Sequence, residues 1–132
     1  MVNSLPIRVM LVDDHEMVRQ GLRTSLQTFH DIELVGEASN GKEALLTYRE
    51  FDPAVIVMDM VMPVMDGLLA TQNILANNPE IKIIILTNYH DDNLVSAMQR
   101  AGIKKFLTKD VSIDELASAI RSQIKQSNSL PV

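Results

Sequence analysis

Polar and charged side chains follow four apolar segments of the sequence, each at the point where the apolar segment stops. In chain order these groups are Asp13, Asp14, Asp59, Thr87 and Lys109. A carboxylate nucleophile beside further carboxylates, a hydroxyl donor and an ammonium group is the equipment for forming an aspartyl phosphate. The chemistry that these residue types predict is phosphoryl transfer to an aspartate, which asks the protein mainly for positioning and charge neutralisation.

Three carboxylates held close together repel one another and need a compensating charge. A hard divalent cation supplies it, and Mg²⁺ takes one or two carboxylates together with a phosphate oxygen and water. The chain has no Cys, and its three His residues lack a mutual spacing suited to metal binding, which disfavours a zinc site. We therefore expect Mg²⁺ as the cofactor and place His15, His30 and His90 at surface or helix-cap positions.

Five short apolar segments predict the strands that position these groups. They cover residues 7–12, 32–38, 55–58, 81–86 and 106–107. The first, third and fourth are continuously apolar, which is typical of strands buried on both faces. The second alternates, with Ile32 and Leu34 on either side of Glu33, and this pattern predicts an edge strand with one wetter face.

Helical patterns separate the predicted strands. Asn40 with Glu43, and Ser112 with Glu115, have the spacing of capping boxes at helix starts. Caps are also predicted at Asp66 and at Asp91 or Asp92, and Gly102 is expected just past a helix end. The apolar stripe of the first helix is predicted to contain Met17, Val18, Gly21, Leu22, Leu26 and Phe29.

Strand and helix alternate five times, which predicts an α/β fold with a five-stranded parallel sheet and helices on both faces. Right-handed crossovers make the doubly wound, flavodoxin-like order 2-1-3-4-5 the leading topology. Ligands bind such sheets outside the carboxyl ends of the strands, where the strand order reverses, here between strands 1 and 3. That rule brings the three acids together, with Thr87 and Lys109 on neighbouring strands. We assign residues 7–125 to this domain, 1–6 to a tail and 126–132 to the start of a linker.

Composition excludes several other classes of protein. A length of 132 residues suits one domain, and the net charge of −5 with 4% aromatic residues argues against direct binding of nucleic acid. The apolar runs are too short to span a bilayer, and no secretory signal pattern is present at the N-terminus. The absence of Cys fits a reducing compartment, so we expect a cytoplasmic protein.

Ordered motifs along the chain resemble the receiver domains of two-component response regulators. They are Leu11-Val-Asp-Asp-His15, Met58-Asp-Met-Val-Met-Pro63 with Asp66-Gly67, Ile85-Leu-Thr87 and Phe106-Leu-Thr-Lys109. The Asp-Asp-His sequence and the Lys-Asp pair at 109–110 resemble the subfamily with a C-terminal LuxR/NarL-type helix-turn-helix domain. The resemblance implies a sensor histidine kinase as phosphodonor and regulation of transcription through a DNA-binding domain that is not in this chain. It also implies a homodimer on phosphorylation, through helices 1 and 5 or 4 and 5.

The resemblance implies a role for each site residue. Asp59 would be the phosphoacceptor, and the protein would catalyse only its own phosphorylation and slow autodephosphorylation. Mg²⁺ would be held by Asp14, Asp59 and the backbone carbonyl of Val61, with Asp13 acting largely through water. Lys109 would pair with Asp59 beforehand and bind a phosphoryl oxygen afterwards.

The resemblance also implies a conformational switch. Thr87 would move to bond a phosphoryl oxygen, and Phe106 would then fill the vacated space; we expect Phe106 to be inward much of the time without phosphate. Many receivers have a cis proline after the lysine, but here Asp110 follows, and we expect a trans bond because a non-proline cis peptide costs roughly 2.5–4 kcal/mol. Val61 and Tyr89 flank the path of attacking water, which predicts slow loss of phosphate.

Other interpretations use the same residues. In a purely structural interpretation, Asp13 and Asp14 would act only as helix caps, and Phe106 would be an ordinary core residue. A phosphatase of the haloacid dehalogenase type would need an acid two residues after Asp59, where the chain has Val61. A receiver-like module that never takes phosphate would be expected to lack one of the key residues, and a flavin carrier would need a phosphate-cradling loop after strand 1.

Overall fold

Strands and helices alternate along the whole chain in the computed structural model, which describes residues 5–60, 67–87 and 92–128. The strands are β1 (Ile7–Val12), β2 (Ile32–Ala38), β3 (Val55–Asp59), β4 (Lys82–Thr87) and β5 (Lys105–Thr108). The helices are α1 (Glu16–Leu26), α2 (Gly41–Phe51), α3 (Gly67–Asn77), α4 (Asp92–Arg100) and α5 (Ile113–Asn128).

The five strands form one parallel sheet in the order β2-β1-β3-β4-β5, which confirms the flavodoxin-like α/β prediction. β3, β4 and β5 each extend a residue further at their carboxyl ends than their apolar segments do. Asp59 pairs with Leu86, and Thr87 pairs with Thr108, so two of the predicted site residues lie within the ladder. The sheet backbone therefore holds Asp59 and Thr87 directly.

The sheet buries a different apolar cluster on each face. Met10, Ile56 and Ile85 point to one face, where they pack with residues of α2, α3 and α4. Val9 and Val57 point to the other, where they pack with residues of α1 and α5. Because both faces are covered, each central strand contains four successive apolar residues: Val9–Val12, Val55–Met58 and Ile83–Leu86. Burying one such side chain stabilises the fold by about 1.5–3 kcal/mol.

The N-cap bond of each predicted capping box is present. The backbone N–H of Glu43 donates to Asn40 Oδ1 at 2.8 Å, and that of Glu115 donates to Ser112 Oγ at 3.1 Å. In the first box the Glu43 carboxylate accepts the backbone N–H of Ser39 at 3.0 Å, one residue before the cap. These bonds satisfy amide groups that have no partner within a helix, and so fix the starts of α2 and α5.

Gly102 ends α4 as predicted. Its φ is +105°, a left-handed conformation that favours glycine, and its N–H donates to the carbonyl of Gln99. The next N–H, of Ile103, donates to the carbonyl of Met98, which completes a Schellman motif. Asp92 is the first residue of α4, while the predicted caps at Asp66 and Asp91 lie outside the described residues.

The predicted apolar stripe of α1 is partly wrong. Leu26 is buried, but Met17 is 81% exposed, and a Cβ added at Gly21 would meet no atom within 4 Å. Helical spacing alone does not show how much of an apolar stripe the sheet covers. In α1 the protein interior covers Leu26 but neither Met17 nor Gly21.

At the other end of the domain, α5 continues to Asn128, three residues past the predicted domain boundary at 125. No helix in the described ranges combines the length and apolarity needed to cross a lipid bilayer.

An ion pair ties α5 to the start of β2. Arg121 Nε and Nη2 donate to the two carboxylate oxygens of Asp31 at 2.6 and 3.0 Å. This hydrogen bonding outweighs the effect of burial and lowers the pKa of the Asp31 carboxyl below its ordinary value. A lowered folded-state pKa stabilises the fold above the ordinary aspartate pKa, and the contribution is lost as the pH falls through the folded value.

Asp31→Asn is expected to lower the free energy of unfolding at pH 7 by about 0.5 kcal/mol, a small effect because water screens exposed pairs. The two side chains are 50% and 37% exposed. Urea unfolding of the wild type and the variant should show this gap at pH 7. The gap should close at a pH well below the ordinary aspartate value of about 3.9. A gap that stays constant over this range would contradict a charge-based contribution.

Candidate functional site

An ammonium group bridges two carboxylates at the carboxyl ends of β1, β3 and β5. Lys109 Nζ lies 2.9 Å from Asp59 Oδ2 and 3.4 Å from Asp13 Oδ2. The residues concerned are separated by as many as 96 positions in the sequence, and only the parallel sheet order makes them neighbours. The structure thus places Asp13, Asp59 and Lys109 at one rim of the sheet, as the topology rule predicted.

Burial gives this cluster its electrostatic character. Asp13 and Asp59 are only 4% and 5% exposed, and buried carboxylates are costly unless they are paired. Burial by itself lowers the pKa of Lys109, but the hydrogen bond to Asp59 and the charges of Asp13 and Asp59 outweigh it and raise the pKa above its ordinary value. Lys109 is therefore a fixed positive charge at neutral pH.

Asp13 has a structural task as well as its place in the cluster. Its Oδ1 accepts the backbone N–H of His15 at 2.8 Å, the local turn expected of an aspartate just before a helix. His15 is the residue before α1, and its own side chain caps no backbone group of the helix. Asp13 therefore forms a turn before α1 and is not its N-cap residue, and its other oxygen faces Lys109.

Asp14 presents the most open carboxylate of the cluster. Its Oδ1 atom is buried, yet it accepts no hydrogen bond from any residue in the described part of the chain. His15 Nδ1 lies 3.0 Å from it, close enough for a charge contact with a protonated ring but outside hydrogen-bond geometry. A buried, unsatisfied carboxylate oxygen is costly unless a further partner binds it.

The donor set fits a small divalent cation. One ligand atom from each of Asp13, Asp14, His15 and Asp59 lies within 4.8 Å of the others. Carboxylate oxygens are the donors that Mg²⁺ prefers, and the unsatisfied Asp14 oxygen is available for it. Val61, whose backbone carbonyl is the remaining predicted ligand, lies outside the described residues.

His15 stands closer to the cluster than the sequence indicated. Its side chain is 62% exposed at the helix start, as expected for a surface cap position, but its Nδ1 is 3.1 Å from Asp13 Oδ1. His30 is exposed on the surface away from the cluster, and His90 is outside the described residues. The sequence offered no signal for the His15 contacts, because they depend on the path of the loop after β1.

The two predicted switch residues lie on the adjacent strands β4 and β5. Thr87 is buried at the end of β4, and its carbonyl accepts the backbone N–H of Lys109 at 3.1 Å. Phe106 pairs with Ile85 in the ladder and, partly buried, packs against the apolar cluster on the α4 face of the sheet. The peptide bond between Lys109 and Asp110 is trans, as predicted.

Three residues to which the sequence assigned no role support the backbone of the site. Gly67 opens α3 with its N–H donating to the Met60 carbonyl at 2.9 Å, against the backbone that follows Asp59. Arg19 of α1 donates from Nη1 to the backbone carbonyl of Asp13, and Glu37 of β2 holds Arg19. Gly67 was visible in the motif at 66–67, but its close approach to the strand was not.

A cavity of about 530 Å³ lies around the loops that precede β3 and β4, away from the cluster of Asp13, Asp14 and Asp59. Arg8 lines it and donates to the carbonyls of Phe51 and Asp52 at 2.6 and 2.9 Å. Asp52 is the residue after α2, and its φ of +52° marks the end of the helix. The last carbonyls of a helix lack partners within it, and Arg8 binds two of them here. These bonds give Arg8 a structural role, and the cavity contains none of the predicted site residues.

Comparison with known proteins identifies the class of domain that this geometry belongs to. The family described as the response regulator receiver domain matches residues 9–121. The transcriptional regulatory protein LiaR of Bacillus subtilis is 46% identical over 119 residues, which are 90% of this chain and 56% of LiaR. The receiver domain of the putative response regulator NarL from Mycobacterium tuberculosis superposes with a TM-score of 0.87 at 26% identity, covering 92% of this chain and 98% of that one.

The chain belongs to the response regulator receiver domain family. A two-component response regulator of the LuxR family from Aurantimonas is 32% identical, with a TM-score of 0.85, and covers 92% of this chain and 86% of that one. Together with LiaR and NarL it supports the predicted subfamily. A receiver domain is not a classical enzyme. The chain spans 56% of the length of the curated relatives that it matches.

Proposed function

We propose that this receiver domain accepts a phosphoryl group on Asp59 and that Lys109, Thr87 and a bound Mg²⁺ assist the transfer. The observation that carries the proposal is the bridging of Asp59 and Asp13 by the Lys109 ammonium, beside a buried Asp14 oxygen that lacks a hydrogen-bond partner in the described residues. This arrangement offers a nucleophile, a fixed positive charge and a place for a cation at one rim.

The transfer needs no proton from the nucleophile. An Asp59 carboxylate oxygen attacks the donor phosphorus, the new P–O bond forms as the bond to the leaving group breaks, and the leaving group departs with the electron pair. Lys109 then stabilises a phosphoryl oxygen in addition to the carboxylates, and the Thr87 hydroxyl donates to another. Bound Mg²⁺ would supply further charge neutralisation at the transferring oxygens.

Two carboxylates and one backbone group would hold the cation. Asp14 and Asp59 would ligate it directly with the carbonyl of Val61, and Asp13, already engaged by Lys109 and His15, would act largely through water. The unsatisfied Asp14 Oδ1 supports this assignment. The predicted effect of Val61 and Tyr89 on the phosphate lifetime concerns residues outside the described part of the chain.

Phosphorylation would be read out through Thr87 and Phe106. Movement of the Thr87 side chain toward the phosphoryl group would free space beside β5, and Phe106, already half-buried against the core, would move further in. Phosphorylation of this kind would shift the populations of two pre-existing states rather than create a new one. The surface formed by α4 and β5 would then change shape.

The proposed output follows from the relatives. A sensor histidine kinase would supply the phosphoryl group, and a C-terminal DNA-binding domain outside this chain would act on transcription. The name of LiaR describes that relative as a transcriptional regulatory protein. A homodimer formed on phosphorylation and a cytoplasmic location complete the proposal. Residues 7–125 would form the domain that takes the phosphoryl group.

Incubation with acetyl phosphate tests the proposal directly. Intact-mass measurement of the wild type should show one added phosphoryl group with Mg²⁺ and essentially none when EDTA removes the metal. Asp59→Asn should show none in either condition, because an amide is not a comparable nucleophile. Addition to the wild type without any metal, or undiminished addition to Asp59→Asn, would refute the assignment.

A further inference from the structure

The backbone of Asp13, the first acidic residue of the loop after β1, is held on both sides. The N–H of Asp13 donates to the Ala38 carbonyl of β2 at 3.1 Å, and the carbonyl of Asp13 accepts the guanidinium of Arg19. The first bond continues the sheet ladder beyond β1, while the second comes from a side chain. Because the carbonyl belongs to the peptide plane that leads into Asp14, the bond from Arg19 restrains the orientation of that plane.

Arg19 is itself held in place. Its side chain is 15% exposed, and its Nε donates to Glu37 Oε1 at 3.2 Å. Arg23, one turn later on α1, donates to the other oxygen, Glu37 Oε2. Glu37 is therefore shared by two arginines, of which only Arg19 continues to the acidic loop. A planar, multiply bonded guanidinium is a rigid link between a carboxylate and a carbonyl.

An irregularity in β2 brings Glu37 to α1. Val9 pairs with Leu34 but Met10 pairs with Gly36, so Val35 is an extra residue on β2. In a regular strand Gly36 would lie opposite Leu11, but after the bulge Glu37 does. An extra residue moves the following side chains to the other face, here the face of Leu11 that α1 covers.

We infer that Arg19, held by Glu37, is a positioning residue that orients the Asp13–Asp14 peptide for binding of the divalent cation. The inference rests on the proposed function in that it takes the acidic cluster as the metal site. Residues that orient metal ligands without touching the metal typically change metal affinity by 10–100-fold when replaced. Arg19 meets that description because it bonds the backbone carbonyl of Asp13, the residue before the proposed ligand Asp14.

Calorimetric titration with MgCl₂ tests the inference without using phosphorylation as the readout. Arg19→Gln is expected to weaken Mg²⁺ affinity by about tenfold, the lower end of the range for such orienting groups. Arg23→Gln is the matched control, since it also removes an arginine from Glu37 but leaves the Asp13 carbonyl bonded. It should bind Mg²⁺ within about twofold of the wild type. Arg19→Lys, which keeps the positive charge but not the planar fork, should recover part of the lost affinity.

Urea unfolding of each variant separates positioning from general stability. If Arg19 is a positioning residue, Arg19→Gln should lose far more Mg²⁺ affinity than Arg23→Gln. This difference should hold even if the two variants lose similar free energies of unfolding. Equal affinity losses in the two variants, or wild-type affinity in Arg19→Gln, would overturn the inference. Should Arg19→Gln fail to fold, Glu37→Gln takes its place, with a several-fold loss expected and wild-type affinity counting against it. Acetyl phosphate labelling of the wild type, run in parallel, reports on the proposed function separately.

Discussion

A Lys109→Met variant is expected to accept phosphoryl groups from acetyl phosphate about 10²–10³-fold more slowly than the wild type, the usual cost of removing one charge-stabilising donor. The ammonium lies 2.9 Å from Asp59 Oδ2 and the Lys109 side chain is 18% exposed, so water cannot readily replace the charge. Methionine fills similar space without charge, which limits the change to electrostatics. The rate of phosphorylation at saturating Mg²⁺, followed by intact mass, measures the effect.

The same variant should unfold more easily. Without the ammonium, Asp13 and Asp59 lose their bridging cation, and we expect the free energy of unfolding to fall by about 1–3 kcal/mol in metal-free buffer, as for the loss of a charged hydrogen bond. Asp59→Asn is the matched control: it also prevents phosphorylation, but it removes one of three neighbouring carboxylates and relieves their repulsion. Its stability should equal or exceed that of the wild type.

A loss of stability in Lys109→Met beside an unchanged or raised stability in Asp59→Asn would distinguish a charge cluster built for a cation from an ordinary structural ion pair. In an ordinary pair, removing either partner leaves the other buried and unsatisfied, and both variants lose stability. If Asp59→Asn proves as destabilised as Lys109→Met, the cluster is balanced without a metal. In that case the assignment of Mg²⁺ would lose its electrostatic basis.

Much of the fold was accessible from the sequence because its determinants are local. Continuous apolar segments are typical of strands covered on both faces, and they placed the starts of β1 and β3 correctly. The capping boxes at Asn40 and Ser112 fixed two helix starts, since a cap depends on residues only three positions apart. Handedness and connectivity rules then supplied the strand order. The exposure of Met17 was not accessible, because it depends on how α1 lies on the sheet.

The convergence of the site was predictable, but the residues that hold it in place were not. Parallel strands bring their carboxyl ends to one rim whatever their exact register, so the meeting of Asp13, Asp59 and Lys109 follows from topology alone. The contact between Arg19 and Glu37 instead depends on a single extra residue in β2. Bulges of this kind have no reliable signature in an alternating segment. A one-residue shift of register reverses the face of every later side chain, so a bulge that is missed also puts those side chains on the wrong face.

Gly67→Ala is expected to damage both the fold and the site. A Cβ at this position would lie 2.5 Å from the Asp59 carbonyl oxygen and 3.0 Å from Met60 Cα. Both are backbone atoms and cannot rotate away, so either α3 or the end of β3 must move. Overpacking of this kind costs about 1–3 kcal/mol, and a displacement near 1 Å at a reacting group costs about 10²-fold in rate. Urea unfolding and the rate of acetyl phosphate labelling measure the two effects.

Gly21→Ala is the matched control, because it makes the same chemical change in a helix where the new Cβ meets nothing within 4 Å. Replacing an exposed glycine inside a helix removes backbone entropy from the unfolded chain, and the free energy of unfolding should rise by about 0.5–1 kcal/mol. Its labelling rate should match the wild type. Helix propensity alone predicts that both alanine variants gain stability. A difference between the two variants would therefore identify the close approach of Gly67 to the backbone of β3 as the cause. A Gly67→Ala protein that is stabilised like Gly21→Ala, and labelled at the wild-type rate, would show that α3 can retreat from β3 without moving Asp59.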